Sequence, residues 1–369
     1  VSAHEPAELE RWLHEAVGAR FPGARVTATI ALKGDASARR FWRIAFEPGK
    51  GGTSIGHKDG GAPLSAIAID LGPDDLPLYA RALNLLPEPL TEPPWINVHR
   101  FLKSIGAAVP DVFAADTHAR MLLVEDVGEL PLFEAASRGD AGDLYRLAAD
   151  ELLVLHLEGT HRLDRRCIAA RVAYDERLFR WELAQFVDYG VAEVTAASMS
   201  PIAIAPELDD LAARLGRYPR VLSHRDYHGN NLFLQLTSGG GPSGNSQRLR
   251  VIDFQDALMA PAAQDLAVLL TTRDAARIIT PTIERRMLDY YFAAHLRRGT
   301  AMALTLDDFN ESYRLCVLQH ALKVIGRFIW LEQNGRQGYA AYVPYAIEQA
   351  RRVLANRNDF ANLRAALGA

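Results

Sequence analysis

Two short segments constrain this chain more than any others: Ser223-His224-Arg225-Asp226-Tyr227-His228-Gly229-Asn230-Asn231, and the later Val251-Ile252-Asp253-Phe254-Gln255-Asp256. The first sets an Asp and an Asn five residues apart in a loop, just after the apolar pair Val221-Leu222. Residues 232–236 then read as a strand, 238–247 as a low-complexity hairpin tip, and 249–252 as the returning strand. A hairpin of this kind folds Asp253 back beside Asn231. One carboxylate, one amide and a second carboxylate close by then gather at one place. Phosphoryl transfer from a nucleotide needs this set. Mg²⁺ takes few protein oxygens and keeps its other positions for phosphate and water. A separate carboxylate orients the attacking hydroxyl and takes its proton.

The bulk properties agree with an enzyme of ordinary globular make-up. The chain has 369 residues, enough for one bilobed enzyme or two domains, and 49% of them are apolar. A net charge of −4 gives no reason to expect nucleic acid or an anionic membrane as a partner. Cys167 and Cys316 lie far apart in helix-like patterns and are expected as buried free thiols. With no signal-like start and no run of eighteen apolar residues, the expectation is a soluble cytoplasmic protein.

Along the chain, residues 5–20 carry apolar side chains at helical spacing, and 26–32 and 39–46 read as strands joined by a turn of small residues at 33–37. Backbone N–H groups of such a turn, around Gly34 and Ser37, can cover phosphates. Residues 48–63 are a Gly-rich insertion, 65–70 a third strand, 95–105 a helix, and 109–114 and 121–127 two further strands. The rest reads as mostly helical, with helices at 143–157, 281–299, 310–334 and 343–357. His156 is expected as a satisfied core histidine, and the arginine-dense stretch 161–180 as a solvated helix face. Lys323 and Arg327, one turn apart, either meet a carboxylate on an acceptor or face water, and water is the expectation.

The two opening segments resemble the protein-kinase-like superfamily in its small-molecule branch of aminoglycoside and choline kinases. Its pattern, His-x-Asp-x-x-x-x-Asn followed by apolar-x-Asp, is met by His224, Asp226, Asn231 and Asp253. The resemblance implies an α+β, bilobed fold: a small N-lobe (1–127) with an antiparallel sheet plus helices, and a larger, mostly helical C-lobe (128–369). It implies ATP and Mg²⁺ as cofactors, Asp226 as catalytic base, and Asn231 and Asp253 as metal ligands. Residues 125–128 become the hinge, with backbone at Glu125 and Val127 meeting the adenine edge. Asp265 corresponds to the acid that braces the catalytic loop.

The superfamily's third-strand Lys and its helix Glu are both missing here, since 65–70 holds no Lys and 95–105 no Glu. Arg39, Arg40 and Arg43 are the candidates to meet the triphosphate instead; on a strand Arg39 and Arg43 share one face and Arg40 takes the other. These departures carry a sharper resemblance, to the bacterial N-acetylmuramate/N-acetylglucosamine anomeric kinases. It rests on the run 34–43, the strand ending in Asp70, the Asp253-Phe254-Gln255-Asp256-Ala257 segment, and Leu318-Gln319-His320 with Lys323, Gly326 and Phe328. It implies a sugar acceptor phosphorylated at its anomeric hydroxyl in cell-wall sugar recycling. Asp256 is placed either at a sugar hydroxyl or as a cap of its own loop. Other small-molecule kinases of the same branch and a nucleotide-binding pseudokinase remain as alternatives. Only seven residues separate Asp253 from Pro261, too few for the peptide-presenting segment of a protein kinase.

Overall fold

The computed structural model describes residues 6–32, 39–47, 49, 64–72, 76–86, 90–194, 201–237, 246–272, 275–298 and 304–369. Helix α1 (Pro6–Arg20) leads into strands β1 (Arg25–Leu32), β2 (Arg40–Glu47) and β3 (Leu64–Asp70). Helices α2 (Leu78–Ala82) and α3 (Pro94–Ser104) follow, then β4 (Val112–Asp116) and β5 (Met121–Glu125). The five strands form one antiparallel sheet in the order β1-β2-β3-β5-β4. Alternation along the strands sorts its two faces. Ile44, Phe46, Ala66, Ala68 and Leu123 pack with Leu13 and Val17 of α1 in a small separate core. Phe41, Ile67, Ile69 and Val124 join the larger core beneath or open toward it.

Beyond β5 the chain is mainly helical. Helix α4 (Leu132–Arg138) precedes α5 (Ala141–Leu153), which runs through a π turn at Val154–Gly159 into the short α6 (Thr160–Arg162). Helix α7 (Glu176–Gln185) passes through a second π turn, Phe186–Gly190, into α8 (Val191–Val194), and α9 (Pro201–Arg217) follows. Strands β6 (Arg220–Ser223) and β9 (Leu258–Pro261) pair antiparallel, as do β7 (Leu232–Thr237) and β8 (Ser246–Val251). Helices α10 (Ala263–Thr271), α11 (Pro281–Arg297), α12 (Leu306–Gln333), α13 (Val343–Leu354) and α14 (Ala361–Leu367) complete the order.

Local chemistry explains the starts of the helices that matter most. Asp140 caps α5, Asp175 caps α7 and Thr280 caps α11 through backbone N–H groups, and Thr305 with Asp308 makes a reciprocal capping box on α12. Helix α12 is 28 residues long and runs through the core. It reaches α7 because residue 326 is glycine: a Cβ there would sit 2.3 Å from Gln185 O at the π turn.

Two expectations are corrected, and some elements are additional. The arginine-dense stretch is not one helix; it breaks into α6, a 3₁₀ turn at Ile168–Arg171 and α7, and Cys167 sits at the start of that turn. Helices α4 and α9 and strand β9 were not foreseen. The strand expected from 109 begins at Val112, since Pro110 cannot donate to a ladder. Both cysteines are buried free thiols, as expected. Among the described residues no helix is long and apolar enough to cross a membrane.

Candidate active site

The loop after β6 is fixed chiefly by side chains bound to main-chain groups. Asp265 of α10, fully buried, accepts from the N–H of His224 (2.8 Å, Oδ2) and of Arg225 (2.9 Å, Oδ1), and His156 Nε2 lies 3.0 Å from Oδ2. His156 also meets Tyr291 Oη, so it is the satisfied core histidine expected, and it braces the loop at one remove. Tyr227 Oη donates to Ala148 O at 2.8 Å. Arg225 adopts φ +80°, a left-handed backbone that costs ~1–3 kcal/mol for a residue with a side chain and persists only where the surroundings hold it.

The β7–β8 register pairs Leu232 with Val251, which puts residue 231 opposite 252. Ile252 N donates to Asn231 O at 2.9 Å, and Ile252 O accepts from His224 Nε2 at 2.9 Å. One peptide, that of the residue before Asp253, thus ties down the loop after β6. Asp253 itself has φ +63°. Asn231 Nδ2 donates to Asp226 O at 2.9 Å, which turns the oxygen end of the amide the other way. Asp226, Asn231 and Asp253 all open onto one cleft of about 1010 Å³ between the sheet and the helices.

The electrostatics of the cleft centre on Arg225. Its Nη2 lies 3.1 Å from Glu182 Oε1, its Nη1 3.9 Å from Asp226 Oδ2 and 3.7 Å from Asp256 Oδ2, and the guanidinium stands 4.3 Å over the Tyr79 ring. Glu182 of α7 is fully buried and also receives Lys323 Nζ (3.2 Å), Gln319 Nε2 (3.0 Å) and the Tyr174 hydroxyl. Burial alone would raise the Asp226 carboxyl; Arg225, then Lys323, His228 and His224, more than offset it and hold it below the usual carboxylate range. Asp256 goes the other way, because burial and the like charges of Asp253 and Asp226 outweigh Arg225. His320, on the α12 wall of the cleft, has both ring nitrogens buried without a hydrogen-bond partner. Burial pushes it down to about 3, so the ring is neutral.

The sequence-derived candidates fall into groups. Arg39 reaches Asp253 Oδ1 with Nη2 (2.8 Å) and Gln255 with Nη1, and Gln255 Nε2 also donates to Asp253 Oδ1 at 3.0 Å. Arg43 clamps the crossing after β5, with Nε 2.7 Å from Asp126 Oδ2 and an ion pair to Glu129. Arg39, Phe41 and Arg43 line the cleft as alternate residues. Arg40 does not: it points to the other face, bound to Asp70 (Nε 3.2 Å) and over Trp42. The Glu125 carboxylate accepts from Arg250 Nε and Nη2 (3.1 and 3.0 Å), Gln235 Nε2 (3.1 Å) and Asp111 N (3.0 Å), so it pins the crossing to the β7–β8 hairpin. Val127 lines the cleft, and its N–H has no intramolecular acceptor among the described residues. Gly34 and Ser37 lie outside the described residues.

Lys323 and Arg327 do not face water. Both line the cleft, because α12 turns the stripe 320, 323, 324, 327, 328 toward it. Glu182 and the orphaned ring of His320 were missed as site residues. No spacing flags Glu182, whose partners come from α12 and the catalytic loop; the signal for the α12 wall was the motif around 318–328, which carried no partner in the sequence.

The donor set suits a hard divalent cation. Asn231 offers an amide oxygen, and Asp253 keeps Oδ2 without a donor among the described residues, with 36% of its side chain exposed. No group of three or more His, Cys, Asp or Glu forms a metal site among the described residues.

A family model described as "Phosphotransferase enzyme family" matches residues 85–303, more than half of the chain. The chain is 28% identical over 274 residues to an N-acetylmuramate/N-acetylglucosamine kinase of Pseudomonas aeruginosa, covering 73% of this chain and 75% of that one. To the protein of the same name from Caulobacter vibrioides it is 30% identical over 268 residues, covering 68% and 65%. A choline kinase of Streptococcus pneumoniae shares the bilobed kinase-like fold at TM-score 0.55 and 13% identity, covering 96% of this chain and 99% of that one. By the extent of that family match, and by the fold on which it is laid, this chain belongs to the phosphotransferase enzyme family.

Proposed function

We propose that the protein is an ATP- and Mg²⁺-dependent kinase that phosphorylates the anomeric hydroxyl of an amino sugar, N-acetylmuramate or N-acetylglucosamine. The observation that carries the reading is the meeting of Asp226, Asn231 and Asp253 on one cleft that also holds the β5 crossing. Leu32, Phe41, Ile67, Phe233 and Ile252 make an apolar slot for a flat base, and the Val127 N–H is the donor for its edge. Arg39, on the same cleft face as Arg43, stands where it meets the phosphates in place of the absent third-strand Lys. The names of the relatives support the choice of sugar.

Asn231 Oδ1 and Asp253 would hold Mg²⁺, which supplies charge neutralisation of the phosphates when bound. Asp226 orients the acceptor hydroxyl. Its lowered pKa keeps it ionised but makes it a weak base, which suits a loose transition state in which the proton leaves late. An anomeric hydroxyl is more acidic than an ordinary alcohol, so a weak carboxylate base suffices. Asp256, whose carboxyl is raised and which lines the same cleft, would meet a second sugar hydroxyl. A quaternary ammonium acceptor is disfavoured by Lys323 and Arg327 in the same cleft.

The test is a phosphorus NMR spectrum of the product from each sugar with ATP and Mg²⁺. A new resonance coupled to the anomeric proton upholds the reading. Tight ATP binding with no turnover of either sugar overturns it.

A further inference from the structure

Arg327 is a cation on the cleft wall that none of the candidate catalytic residues engages. Arg225 and Lys323 both bind Glu182, Arg39 binds Asp253, and Arg43 binds Asp126. Arg327 is half-buried on the cleft face of α12, one turn beyond Lys323. Its guanidinium stands 4.4 Å over the Trp330 ring. It has no carboxylate and no hydrogen-bond acceptor among the described residues. Burial, and then the like charge of Arg225, lower its pKa; Glu182 and Tyr339 act on it only through their charge. A partly buried charge without a counter-ion is costly to maintain, and a ligand that brings the anion removes that cost. Trp181, Phe328, Tyr339 and Tyr342 line the cleft with it, giving apolar faces around a fixed positive fork.

We propose that Arg327 is an anion subsite of the acceptor pocket that takes the carboxylate of an acidic sugar, and that this side chain sets the preference for N-acetylmuramate over N-acetylglucosamine. The proposal rests on the amino-sugar reading above. The two sugars differ at C3, where one carries a lactyl ether and the other a hydroxyl. Lys323 sits beside the Glu182–Arg225–Asp226 group, and four helical residues carry Arg327 about 6 Å farther along the cleft. That step is comparable to the span from the anomeric oxygen of a pyranose to a substituent on C3. The planar guanidinium binds a carboxylate with two parallel hydrogen bonds, and the stack on Trp330 fixes its plane in advance.

The experiment compares wild type, Arg327→Met and Arg327→Lys in steady-state kinetics with both sugars. The expected result for Arg327→Met is a KM for N-acetylmuramate raised at least tenfold, with kcat little changed and KM for N-acetylglucosamine within twofold of wild type. Arg327→Lys should recover part of the loss. Equal damage toward both sugars, or no change toward either, overturns the proposal. Should wild type phosphorylate neither sugar, the amino-sugar reading falls, and the subsite is tested separately by titrating D-lactate against tryptophan fluorescence. A saturable change in wild type that is lost in Arg327→Met upholds the anion site; its absence in wild type overturns it.

Discussion

The two walls of the cleft around Asp226 are built in different ways. The wall formed by the loop after β6 is held by bonds that end on main-chain groups: the Asp265 carboxylate on two successive N–H groups, and the Ile252 peptide on Asn231 O and the His224 ring. The polar ties of the α12 wall run between side chains, through Glu182, a buried carboxylate 137 residues from Gln319 in sequence. The family match at 85–303 takes in the first wall and stops before the second. Bonds to main-chain groups fix spacing within a segment; a network between side chains of distant elements fixes no spacing between them, and its wall is free to differ with the acceptor.

The largest expected effect breaks the link between the walls. Glu182→Ala leaves the largely covered cations Arg225 and Lys323 without their fully buried carboxylate, and should cost ~3–5 kcal/mol in chemical denaturation. A loss under about 1 kcal/mol would mean the walls stand independently, and the comparison would fail.

Asp226→Asn should lower turnover by ~10²-fold or more with the unfolding midpoint nearly unchanged, because the loop is pinned by its neighbours' main chain. Nearly full activity would remove Asp226 from the chemistry.

His320 sharpens the contrast on the α12 side. Its folded-state value of about 3 lies below the ordinary 6.5, so as pH falls below 6.5 the unfolded chain takes up a proton that the native state refuses. The stability is complete above that pH and drains away between about 6.5 and about 3, by about 2 kcal/mol at pH 5. His320→Asn should flatten that part of the curve; melting temperatures at pH 7.5 and 5 measure it, and an identical slope would refute the account.

The smallest expected effect separates two neighbouring arginines. Arg39→Ala should raise the Michaelis constant for ATP at least tenfold, while Arg40→Ala, bound to Asp70 on the far face, should leave it unchanged. Equal effects would show that strand alternation does not decide which arginine serves the cleft.

Much of the catalytic half was legible from residues alone. The spacing of His224, Asp226, Asn231 and Asp253 gave the loop and hairpin, because a two-strand return has few ways to bring residues 231 and 252 together. The alternation at 39, 41 and 43 correctly separated Arg39 and Arg43 from Arg40. One-turn spacing of cations on a helix is the mark of an exposed face, so the residues alone put Lys323 and Arg327 in water. Tertiary packing overrode that reading.

What the sequence by itself determined is local: which strands return on each other, where helices begin, and which oxygens sit at the ends of those elements. Periodicity and capping act within a few residues, so they are written in neighbouring letters. Only the tertiary structure decided that α12 lies against α7, that Glu182 holds Arg225 and Lys323 together, and that Arg327 lies over a ring with no carboxylate beside it among the described residues. The physical reason is that a buried charge is stable only where partners from several distant elements converge on it, and no spacing along one segment encodes that convergence.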